Sequence, residues 1–96
     1  MRLSKQTIMI LKESILNFTK DPKIILFGSR ADDTKKGGDI DILVETHENI
    51  DIKTQIKILA QCEANGMERK IDMIFKTPFT KEQSIFNTAI KEGIVL

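Results

Sequence analysis

The chain has 96 residues, 41% of them hydrophobic and 30% charged, with a formal net charge of +1. That length supports a single domain, 1–96, with a modest core and no room for a second one. The even charge balance argues against a protein that holds long nucleic acid mainly by attraction to phosphates, but not against binding one small polyphosphate. The longest apolar runs, Ile8–Leu11 and Ile24–Phe27, fall far short of a membrane span, and the first is too short for a signal-peptide core. Cys62 is the only cysteine and cannot form an internal disulfide, so a reducing, cytoplasmic setting is expected.

Ser4 predicts the cap of a first helix, with Ile8, Leu11, Ile15 and Phe18 at helical spacing and Asp21-Pro22 as its stop. Lys23 to Phe27 then reads as a short strand covered on both faces. Gly28-Ser29 ends it, and a polar, potentially helical turn runs to Gly37-Gly38. Asp39 to Glu45 alternates: Ile40, Ile42 and Val44 share one face, while Asp39, Asp41, Leu43 and Glu45 share the other.

After a loop around His47 and Asn49, Ile52, Ile56, Leu59 and Cys62 mark a second helix, which Asn65-Gly66 ends. Lys70 to Phe75 is a third strand, with Ile71, Met73 and Phe75 inward and Lys70, Asp72 and Ile74 opposite. Thr80 and Gln83 form a capping-box pattern before a last helix carrying Ile85, Phe86, Ala89 and Ile90. Gly93 ends that helix, and Ile94 to Leu96 is an apolar tail that can dock on the sheet or on a partner. This order implies an α/β or α+β domain with helices on a small sheet.

Asp39 and Asp41 lie two residues apart on one strand, so both point to the same face, roughly 6.6 Å apart along the backbone. Asp72 occupies the non-core face of another strand; if the two strands are neighbours, the three acids converge. Hard cations such as Mg²⁺ take oxygen ligands, and clustered carboxylates can clamp two ions for in-line phosphoryl or nucleotidyl transfer. An isolated Asp-x-Asp is more often a solvated strand face. Asp is, however, a poor strand former, and the preceding glycine turn changes the balance. Gly28 lets a phosphate approach the backbone, and Ser29 adds a hydroxyl donor. Neither a Walker A loop nor a dinucleotide-binding glycine pattern is present.

Phe27-Gly28-Ser29-Arg30-Ala31, followed after the nine residues Arg30 to Gly38 by Asp39-Ile40-Asp41-Ile42-Leu43-Val44, resembles the signature of the DNA polymerase β-like nucleotidyltransferases. Within that superfamily the chain looks like the stand-alone minimal nucleotidyltransferases, antitoxins of modules with a HEPN-domain toxin. The resemblance extends through Asp72 and covers essentially the whole chain. It implies a small mixed sheet flanked by helices. It also implies Gly28 and Ser29 as nucleotide-binding residues; Arg30 joins them as a candidate because its planar fork suits a phosphate, with a surface arginine at a turn as the equal alternative. Asp39, Asp41 and Asp72 would be both the catalytic residues and the ligands of Mg²⁺, two ions being expected. ATP is the implied substrate, and a tyrosine of the HEPN partner the implied acceptor. The chain has no tyrosine, so that acceptor has to lie on another molecule.

Two features depart from the family pattern. Many relatives have Arg-Gly after the alanine, where this chain has Asp32-Asp33, and the interval before Asp39 is about one residue shorter than a common form. Two acids beside a triphosphate repel it unless they point to solvent. Lys35 and Lys36 read as a solvated loop, His47 as a surface residue, Cys62 as a small buried group, and Met9, Met67 and Met73 as core or interface filler. The rival readings are an antitoxin that blocks its toxin by contact alone, and a transferase acting on a small molecule. Three acids in place favour catalysis over contact alone; the short length favours a partner that supplies the acceptor side.

Overall fold

The computed structural model describes residues 3–28, 39–67 and 69–96. Its elements in chain order are α1 (Lys5–Leu16), β1 (Lys23–Phe27), β2 (Ile40–Glu45), α2 (Ile52–Ala64), β3 (Ile71–Lys76), α3 (Ser84–Glu92) and β4 (Ile94–Val95). The strands form one sheet in the order β3-β2-β1-β4. β1 pairs antiparallel with β2 and β4, whereas β2 and β3 run parallel. The domain is therefore α+β with a mixed sheet, as the order of elements and the family resemblance led one to expect. The polar turn between β1 and β2, with Ser29, Arg30, Asp32, Asp33, Lys35 and Lys36, lies outside the described residues.

Side-chain alternation divides the core. Ile24 and Leu26 of β1, with Ile40, Ile42 and Val44 of β2, face α1 and α2. Ile25 and Phe27 of β1 and Leu43 of β2 face α3, where Phe86 and Ala89 close over them. β1 and β2 thus bury both faces, which is why β1 reads as a continuous apolar run. Each fully buried Leu or Ile contributes roughly 1.5–3 kcal/mol.

The helix ends follow local chemistry. The Ser4 Oγ accepts a hydrogen bond from the Thr7 backbone N–H at 3.1 Å, and the Asp51 carboxylate caps α2 through the Thr54 N–H at 2.8 Å. α2 closes on a two-bond terminus: the Gly66 N–H reaches the Glu63 carbonyl and the Met67 N–H the Cys62 carbonyl, with Gly66 at φ +103°.

Several expectations need correction. α1 stops at Leu16, not at Asp21-Pro22, because the Phe18 N–H and the Thr19 hydroxyl both turn back to the Ile15 carbonyl; Phe18 lies beyond the helix. In α2 the buried residues are Ile58 and Cys62, while Ile52 and Ile56 are 72% and 60% exposed. Ile50, before the helix, fills the core at that end, so the apolar i, i+4 pair Ile52/Ile56 is left outside. Thr80 does not cap α3; it exchanges hydrogen bonds with Thr77 in the turn after β3, and Gln83 takes the cap position without a side-chain bond. In α3, Phe86 and Ala89 are buried whereas Ile85 and Ile90 remain exposed.

The apolar tail docks on the sheet as β4 beside β1, and the Leu96 N–H donates to the Ile24 carbonyl at 2.9 Å. Gly93 permits this return, since a Cβ there would collide with the Ile25 side chain and the Ala89 carbonyl. No helix among the described residues is long and apolar enough to cross a membrane.

Candidate active site

Three acids meet at one end of the sheet through strand pairing. Phe27, the last residue of β1, lies opposite Asp41 on β2, and Asp41 lies beside Asp72 on β3. Side chains at paired positions of adjacent strands project from the same face about 5 Å apart. Leu43, two residues on from Asp41, is buried under α3, so Asp41 and Asp72 project from the α3 face. The Ile40 N–H donates to the Lys70 carbonyl at 2.9 Å, which fixes the start of β2 against β3. Gly28 follows β1 directly, at φ +73°.

Asp41 is the innermost of the three acids. Burial, followed by the negative charges of Asp72 and Asp39, holds its carboxyl above the usual carboxylate range. Lys70, two residues before Asp72 on the same face, places its Nζ 3.9 Å from Asp39 Oδ2 and 4.0 Å from Asp72 Oδ1. These are screened contacts, since the Lys70 side chain is 73% exposed. The strand reading put Lys70 on this face without giving it a role, although its i, i+2 spacing from Asp72 was the available signal.

Among the described residues, no three His, Cys, Asp or Glu side chains close into a cage around one ion. The donor chemistry nevertheless fits a hard divalent cation. All three groups offer carboxylate oxygens, their mutual repulsion is relieved by positive charge, and the Lys70 ammonium already stands between two of them. Mg²⁺ keeps several waters and needs only one or two protein carboxylates, so a loose cluster suits it better than a tight cage would.

Two grooves open near the β2–β3 pair. One, about 230 Å³, is lined by Leu59, Glu63, Arg69, Lys70 and Ile71, and so shares Lys70 with the acid cluster. A larger one, about 380 Å³, lies at the other end of the strands, lined by residues including Glu45, His47 and Lys76. There Lys76 Nζ and Glu45 Oε2 are 3.3 Å apart, and size alone does not outweigh three acids that share a single exposed lysine at the opposite end. His47 is exposed and Cys62 buried, as expected, and burial pushes the Cys62 thiol up. Ser29 and Arg30, the further candidates for holding the nucleotide, lie outside the described residues.

A mixed sheet in which a glycine turn ends one strand and carboxylates cluster on the next two defines an α+β domain suited to metal-assisted work on phosphates. The family model described as "Polymerase beta, Nucleotidyltransferase" matches residues 10–96, and the chain belongs to that family. It is a nucleotidyltransferase domain. A search of curated proteins found no match to the chain.

Proposed function

We propose that this domain transfers AMP from ATP, with Mg²⁺ bound, to a hydroxyl of a partner protein. The acceptor in this reading is a tyrosine of a HEPN-domain toxin, which the domain silences as its antitoxin. The observation that carries the reading is the Asp41–Asp72 pair: two like charges held side by side on adjacent strands, with Asp39 one pleat away. Directly opposed like charges destabilise a sheet, so a fold that keeps them has a use for a cation there.

In this reading Gly28, with Ser29 and Arg30 next in sequence, holds the triphosphate, and Asp39, Asp41 and Asp72 hold the metal. Bound Mg²⁺ supplies positive charge to the polyphosphate. Asp72, the more exposed acid at the outer strand, also helps to draw the proton from the acceptor hydroxyl. The acceptor oxygen bonds to the α-phosphorus, the α–β phosphoanhydride bond breaks, and pyrophosphate leaves with the bonding electrons. The 96 residues contain no tyrosine, so the acceptor lies outside them. The unpaired, fully buried Cys62 accords with work in a reducing cytoplasm.

The test is incubation with ATP labelled in its α-phosphate, Mg²⁺ and the candidate HEPN partner. Label on the partner with the intact chain, but not with Asp39→Asn/Asp41→Asn, supports transfer. A stable complex without label replaces it with inhibition by contact, and neither label nor complex rejects this acceptor.

A further inference from the structure

Among the described residues, two glycines outside the core hold left-handed backbone, Gly28 at φ +73° and Gly66 at φ +103°. Their surroundings differ. A Cβ on Gly66 would meet nothing within 4 Å, so that glycine answers to backbone conformation alone. A Cβ on Gly28 would overlap Oδ2 of Asp41 and lie 3.2 Å from its Cγ. The Asp41 carboxylate therefore occupies the volume where any other residue at 28 would carry its side chain.

We infer that Gly28 is a positioning residue for Asp41: by lacking a side chain it lets the carboxylate lean over the end of β1. This inference rests on the reading of Asp41 as a metal ligand and adds to the phosphate role that the sequence suggests for Gly28. The physical reason lies in the strand order. Asp41 sits between Gly28, at the end of β1, and Asp72, on β3. Its Oδ2 lies against Gly28, on the β1 side, in space that a Cβ would fill. A methyl group at 28 evicts the carboxylate from that place and drives it toward its like-charged neighbours or out to solvent. Metal ligands have to be held to within about half an ångström, and loss of a group that orients a ligand lowers metal affinity by about 10- to 100-fold.

The test uses Gly66→Ala as an internal control, since it carries backbone strain of the same kind without the collision. Unfolding midpoints are measured for the full chain, Gly28→Ala and Gly66→Ala, and again for both substitutions in an Asp41→Ala background. Mn²⁺ binding is titrated calorimetrically on the full chain and the two single variants. The expected result has three parts. Gly28→Ala lowers the midpoint more than Gly66→Ala does, and the excess disappears when Asp41 is alanine. Mn²⁺ affinity falls at least about tenfold in Gly28→Ala and stays within about twofold in Gly66→Ala. If Gly28→Ala alone fails to fold, recovery of folding on adding Asp41→Ala gives the same answer.

Wild-type Mn²⁺ affinity in Gly28→Ala, or an excess destabilisation that persists without the Asp41 carboxylate, overturns the inference. Absence of Mn²⁺ binding by the unaltered chain is a separate result: it rejects the metal reading of the site, and the positioning role with it.

Discussion

The β2–β3 pair carries a charged cross-strand couple at each end, on the same face and four residues apart: Asp41 with Asp72, and Glu45 with Lys76. At the second couple the charges are opposite, the atoms stand 3.3 Å apart, and both side chains are about one-third exposed or less. At the first the charges are alike, and burial with two acidic neighbours raises the Asp41 carboxyl. Strand geometry is the same at both ends, so geometry does not account for the difference. A sheet selected only for stability would pair opposite charges at both positions. The repulsive end is the one to which the proposed function assigns a cation, even though the larger of the two grooves lies at the other end.

The strongest way to break the comparison is to remove what separates the two ends. Phe86 is 1% exposed and covers Leu43 between the couples. Phe86→Ala is expected to cost about 3–5 kcal/mol in denaturant unfolding. A cost under about 1 kcal/mol would show that α3 does not hold this face.

Making the two ends alike comes next. Lys76→Glu turns the attractive couple into a repulsive one and is expected to destabilise by about 1 kcal/mol, with no gain in Mn²⁺ binding, because among the described residues Glu45 is the one acid that lines the groove there. Strong Mn²⁺ binding by this variant would mean that the acid end holds nothing special.

Neutralising the acid end has the opposite sign. Asp39→Asn/Asp41→Asn is expected to leave the metal-free fold intact or stabilise it by less than about 1 kcal/mol, and substantial unfolding would make these residues structural. Asp41 also gives a pH dependence. Its carboxyl is raised in the folded state, so its favourable contribution is complete below the ordinary Asp value of about 3.9 and is lost as pH rises through the folded value. Without metal, the unaltered chain should thus lose stability relative to the double variant as pH rises above about 4. Equal pH profiles would remove Asp41 from the cluster.

The smallest expected effect concerns Lys70, whose ammonium lies within 4.0 Å of Asp39 and Asp72 and would compete with the proposed ion. Because it is largely exposed, Lys70→Met should tighten Mn²⁺ binding by only about two- to fivefold at low salt. Weaker Mn²⁺ binding in that variant would mean that Lys70 helps to hold the cluster open for the ion.

Much of this molecule was legible from periodicity and local chemistry. The period of two placed Ile40, Ile42 and Val44 opposite Asp41, and Ile71, Met73 and Phe75 opposite Asp72, because alternation is a property of the strand itself. Ser4, the Asn65-Gly66 terminus and Gly93 marked helix ends through bonds that close within a few residues. The outward turn of Ile52 and Ile56 was not legible. A helical stripe shows which residues are neighbours, not which way the helix is rotated when another residue, here Ile50, claims the core position. Thr80 was misread because its hydroxyl had a nearer partner in Thr77 than the start of α3.

By itself the sequence determined that Asp39 and Asp41 share a face and that a glycine turn ends the strand before them. Only the tertiary structure decided that β3 lies parallel beside β2 in the register that puts Asp72 next to Asp41, that Lys70 reaches two of the three acids, and that Gly28 makes room for a carboxylate. The reason is that side-chain direction along a strand is set by the pleat, residue by residue. The neighbour across a sheet is set by packing between segments some thirty residues apart, which no local pattern records.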